Sequence, residues 1–144
     1  MAQTAALDLI RKLDIANIRH YPTDEMSQPS PRGVISEALV NADLLIDVHS
    51  FPYDGFGTNS DVIILEYSQS TWHNLMLFNM LKATDVKVAY MNGVINNDIV
   101  TEGRAAGVPS VLIEYNEQLS SERLSEIDEI VKQWVGRVLS RNVQ

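Results

Sequence analysis

The chain has 144 residues, 45% hydrophobic and 21% charged, with a formal net charge of -8 and no cysteine. That length suits one domain, which at this size hides roughly 70% of its unfolded surface. The totals exclude disulfides and cysteine-bound zinc, a run of about 18 apolar residues able to span a bilayer, and the basic stripe on which nucleic-acid binding rests.

Residues 4–13 set Ala5, Ala6, Leu9, Ile10 and Leu13 on one helical face. The opening "MAQTAALDLIRKLD" mixes acids with bases and has no long apolar stretch. It reads as that helix and not as a secretory leader, so a cytoplasmic protein is expected. "DIANIRHY" follows as a short extended stretch, and "PTDEMSQPSPRG", with three prolines, two serines and a glycine, is a long loop. A helix fits "GVISEALVNAD", and residues 44–51 form the first apolar strand. "PYDGFGTNSD" is a Gly/Asn/Asp loop, after which "VIILEYS" is a second strand.

"STWHNLMLFNMLKAT" starts on Ser/Thr and is apolar around most of its circumference, which predicts a helix packed deep in the core or used as an interface. "VKVAYMNG" is a third strand. "NNDIVTEGRAAG" is a helix that stops at Gly107, and "VPSVLIEYN" is the last strand. The closing helix runs over about 120–140, capped by Ser120 or Ser121, with Leu124, Ile127, Val131, Trp134 and Val138 at spacings of three and four. Strands thus alternate with helices, and the strands are continuous apolar runs. This pattern predicts a single three-layer α/β/α domain over residues 1–144, with a mostly parallel or mixed sheet of about five strands covered on both faces.

Ligands in such sheets collect beyond the carboxyl ends of the parallel strands. Two strands bring ionisable groups there. In "LLIDVHSFP", Asp47 and His49 are two apart and share a face. In "VPSVLIEYN", Glu114 closes the run Val111, Leu112, Ile113. Desolvation penalises such charges unless a partner or a metal compensates. A zinc ion held by His49, with Glu114 as the base that takes a proton from bound water and Asp47 as an orienting partner, would satisfy all three. Arg104, just before the Glu114 strand, is a candidate for holding a substrate carboxylate. The plainer readings stand beside these: a hydrogen-bonded structural histidine, a strand-end carboxylate, and a solvated helix arginine.

The segment "LLIDVHSFP" resembles the Asp-x-His-Ser strand of the zinc amidohydrolase and carboxypeptidase superfamily, which includes N-formylglutamate amidohydrolases, and is similar to that of N-acetylmuramoyl-L-alanine amidases. "AAGVPSVLIEYNE" is similar to the late strand of that group, where the catalytic glutamate lies. The resemblance covers roughly residues 40–140. It implies zinc as cofactor, His49 as a ligand and Glu114 as the catalytic acid/base. Those families also carry an earlier His and Glu ligand, often as His-x-x-Glu, and no such motif precedes residue 49. His20, with Asp24 or Glu25 just after it, could rebuild the ligand set, since carboxylates also bind zinc.

Two functions are therefore expected. One is a small zinc-dependent hydrolase cleaving an amide bond in an N-acylated amino acid, a short peptide or a peptidoglycan stem, with that small molecule or peptide as its partner. The other is a hydrolase-like domain without catalysis, reused for binding or assembly. "DGFGTNSD" lacks a phosphate-binding glycine pattern, and Ser50 lacks the elbow of a serine hydrolase.

Overall fold

The computed structural model describes residues 2–21, 39–52, 59–66, 71–92 and 98–142. In chain order these form α1 (Ala2–Leu13), β1 (Leu45–Phe51), β2 (Val62–Glu66), α2 (Trp72–Lys82), β3 (Val88–Asn92), α3 (Asp98–Ala105), β4 (Ser110–Asn116) and α4 (Ser121–Asn142). The strands make one sheet in the order β1-β4-β2-β3. β1 and β4 are parallel, β2 and β3 are parallel, and β2 meets β4 antiparallel. The sheet is therefore mixed, two parallel pairs facing opposite ways.

Burial follows strand position. Every residue of β2 and β4 is buried, which is why their sequences are apolar without alternation, while β1 and β3 at the edges are mostly half-buried. On one face Val62, Ile64, Val111, Ile113 and Tyr115 pack against α1, α2 and α4 through Leu9, Leu77, Leu81, Ile127, Val131, Trp134 and Val138. On the other face Phe51, Ile63, Leu65 and Leu112 pack against Val100 of α3. This is the three-layer α/β/α arrangement that the alternation of strands and helices implied.

The described strands number four, against the five expected. The stretch 14–21 is not a strand, because Asp14 and Asn17 both take positive φ, 47° and 67°, and turn the chain twice. Asp and Asn tolerate this left-handed conformation better than other L-residues. The helix expected over 33–43 falls mostly outside the described residues, as do much of the proline-rich loop and of the loop after β1. The closing helix begins where its cap predicts: the Ser120 hydroxyl accepts from Arg123 N–H at 3.1 Å. Two residues past the end of α3, Gly107 takes a φ of 78°, and Gly107 N–H and Val108 N–H donate back to the Arg104 and Gly103 carbonyls.

Candidate functional site

The parallel register of β1 and β4 sets His49 opposite Glu114 and Asp47 opposite Leu112. Asp47, His49 and Glu114 therefore lie on one sheet face, the face that Leu112 and Phe51 share with α3. His49 Nε2 is 3.0 Å from Asp47 Oδ1, and His49 Nδ1 is 3.8 Å from Glu114 Oε1. Side-chain exposure grades across the trio: 9% for Glu114, 13% for Asp47 and 46% for His49. A buried carboxyl thus sits behind a half-exposed imidazole, with a second carboxylate fixing the ring from its other side.

This geometry moves both proton affinities upward. The Asp47 hydrogen bond raises the pKa of His49 against the opposing pull of burial, and the Asp47 and Glu114 charges add to the rise. Burial, helped by the negative charge of Asp47, pushes Glu114 up to about 7 although the His49 charge opposes it. The second oxygen of Glu114, Oε2, is buried with no hydrogen-bond partner among the described residues. A carboxyl that titrates near neutrality can both take and return a proton at working pH, the property that a general acid/base needs.

Arg104 lies elsewhere. Its Nη2 is 2.6 Å from Oε1 of Glu66, the fully buried last residue of β2. Glu66 also accepts from Thr71 N–H at 3.0 Å, Thr71 Oγ1 at 2.9 Å, Asn74 Nδ2 at 2.7 Å and the Tyr90 hydroxyl. His73 extends the network, with Nε2 accepting from Ser110 N–H at 3.2 Å, and burial lowers its pKa. Neither Glu66 nor His73 is among the candidates that the sequence singles out. The signal that could have found them is the carboxylate that ends the all-apolar run "VIILE", since a charge there must gather donors from whatever packs next to it.

His20 is exposed. Its neighbour Tyr21 packs with Leu39, Val108 and Leu45 at the amino end of β1, four residues before His49. Glu25 and Asp24 lie outside the described residues. Among the described residues no group of three or more His, Asp or Glu is arranged to hold a metal ion. A catalytic zinc takes three protein ligands and a water. Only His49 and two carboxylates converge here, and Asp47 hydrogen-bonds one ring nitrogen. The described donors do not make up a zinc site.

Neither a protein-family model nor a curated protein sequence matches the chain. Among solved structures, it is similar to the crystal structure of gene product Atu2144 from Agrobacterium tumefaciens, with a TM-score of 0.56 and 17% identity over 78% of this chain and 50% of that one. At this identity the likeness is one of fold, and it accords with a single α/β unit. The chain spans about half the length of that structure. No helix among the described residues is long and apolar enough to cross a membrane.

Proposed function

We propose that this protein is a hydrolase of amide bonds in which Glu114 is the general acid/base and His49, held by Asp47, is its charged neighbour. The observation that carries the reading is Glu114 itself: buried, raised to about 7, beside an imidazole and with one oxygen unpartnered among the described residues. In the proposed reaction Glu114 accepts a proton from water as the water oxygen attacks the substrate carbonyl. The C–N bond then breaks as Glu114 returns that proton to the leaving amine. The His49 imidazolium lies where it can offset negative charge developing on the carbonyl oxygen. No step here runs through a metal; zinc is supported only by the resemblance of the two strand motifs. The amide class, and N-acylated amino acids, short peptides or peptidoglycan stems as substrates, rest on the same resemblance. A cytoplasmic location belongs to the proposal and suits a chain without cysteine.

The test is hydrolysis of a panel of those three substrate types, measured by amine release with zinc added and with chelator. Turnover lost in both Glu114→Gln and His49→Ala supports the reading, and near-stoichiometric zinc that disappears in His49→Ala would extend it to a metalloenzyme. The incomplete donor set favours a second reading, a binding or assembly module. Absence of turnover across the panel, with metal-free protein indifferent to chelator, would select it.

A further inference from the structure

Asp128 is a carboxyl buried where α1, β4 and α4 meet, and nothing in the proposed chemistry uses it. It is 2% exposed, and Tyr115 of β4 beside it is fully buried. The Tyr115 hydroxyl donates to Asp128 Oδ1 at 3.0 Å, the one hydrogen bond to this carboxyl among the described residues. Glu66, by contrast, gathers a guanidinium and several neutral donors. A single hydroxyl supplies far less, so burial here favours the protonated acid.

α1 lies over this stretch of α4. Its Ala5, Leu9 and Leu13 pack in the same cluster as Tyr115, Ile127 and Val131. Lys12 Nζ donates to Ser125 Oγ at 3.2 Å and lies 3.5 Å from Glu129 Oε2, so α1 touches residues on either side of Asp128. The charges around the carboxyl are mostly committed to one another. On α1, Asp8 is paired with Arg11 and Lys12 with Glu129. On α4, Lys132 is exposed one turn on. α2 brings His73, bound into the Glu66 network, and Lys82, over the Phe78 ring, while Asp85 beyond it is held by Arg123. Among the described residues no cation pairs with Asp128. Burial, with the Asp8 charge adding, raises its pKa to about 6 against the opposing pull of the Tyr115 hydrogen bond and Lys12.

After α1 the chain turns at Asp14 and Asn17, and residues 14–17 are exposed. α1 can therefore open locally without unpairing any strand of the sheet. We propose that Asp128 is a proton latch for α1: while it holds its proton α1 stays closed on β4 and α4, and its ionisation loosens that helix. Burial makes the closed form bind this proton more tightly than the open form. The stabilisation of closure is complete below about pH 3.8 and is lost as pH rises through about 6.

Hydrogen–deuterium exchange of the full chain across about pH 5 to pH 8, corrected for the intrinsic rate, reads the latch. Protection of the α1 amides should fall about tenfold over that range, and at pH 8 they should exchange faster than the core amides of α4. In Asp128→Asn, which keeps an acceptor for the Tyr115 hydroxyl but cannot ionise, the fall should vanish. Should that variant fail to fold, Tyr115→Phe takes its place: it removes the hydroxyl that steadies the ionised form, and should move the midpoint of the fall to higher pH. Wild-type α1 protection that does not fall would overturn the proposal. So would the same fall in Asp128→Asn, an unmoved midpoint in Tyr115→Phe, or α1 amides that exchange only as slowly as the α4 core at pH 8.

Discussion

Glu66 and Glu114 are two buried carboxylates on neighbouring strands of one sheet, set on opposite faces, and their surroundings differ in one respect. Glu66 gathers donors from α2, β3 and α3: the Thr71 amide and hydroxyl, Asn74, Tyr90 and the Arg104 guanidinium. Glu114 has a histidine at 3.8 Å, beyond hydrogen-bond length, and an oxygen without a partner among the described residues. A saturated carboxylate is a joint; it ties β2, α2, β3 and α3 together and has no lone pair to spare for chemistry. An undersatisfied one costs stability and keeps its proton exchangeable, which is the condition for catalysis.

The sharpest way to break this contrast is to remove each carboxylate. Glu66→Ala removes the buried acceptor shared by Arg104, Thr71, Asn74 and Tyr90, so it should cost about 3–5 kcal/mol by urea denaturation. Glu114→Gln should instead leave the fold standing and lower amide hydrolysis by about a hundredfold or more, measured as kcat/KM on whichever substrate the panel identifies. If Glu66→Ala is well tolerated, the joint is not what holds these elements. A Glu114→Gln enzyme of near-normal activity would remove Glu114 from the chemistry.

A smaller effect tests the layer between the two regions. Gly103 on α3 lies so close to β4 that a Cβ would overlap Ser110 Oγ and come 3.0 Å from Leu45. Ser110 is fixed by its bond to the Val108 carbonyl at 2.8 Å, so it cannot swing aside cheaply. Gly103→Ala should therefore cost about 1–3 kcal/mol despite its better helix propensity, read from the shift in melting temperature.

The smallest effect concerns pH. The Glu114 carboxyl is raised from 4.5 to about 7 by folding. Its protonated form is thus favoured by the fold, and the stability this contributes is complete below about pH 4.5 and is lost as pH rises through 7. Glu114→Gln has no such titration, so its stability relative to wild type should climb between those limits. From pH 4.5 to pH 8 the difference should move in favour of Glu114→Gln by about 1–2 kcal/mol in paired denaturation curves. His49 keeps its hydrogen bond to Asp47 in that variant, so its own rise with folding persists in large part. A flat difference across pH would mean that burial does not hold the Glu114 proton.

The sequence carried the fold at coarse grain because the central strands announce themselves. "VIILE" and "SVLIEYN" are apolar on both faces since both faces are covered. Periodicity in α4 identified Ile127, Val131, Trp134 and Val138 as core before any contact was known. Asp47, His49 and Glu114 were also legible as a group, through period-two spacing and strand-end charges, and they do meet. The direction of β2 relative to β4 was not legible, because strand direction depends on how loops cross and not on local pattern. Nor was the partner of Arg104: local sequence reads an arginine near the Glu114 strand, whereas the turn of α3 carries it to the end of β2. The extra strand failed on two residues, Asp14 and Asn17, whose left-handed conformation no hydrophobic pattern reports.

The measurement that tests the central claim most directly is a carbon-detected NMR titration of the Glu114 side-chain carboxyl, assigned by its loss in Glu114→Gln. A midpoint near 7, with a second inflection in the same resonance as His49 titrates, is the expected result. A single midpoint near 4.5, independent of His49, would contradict the account.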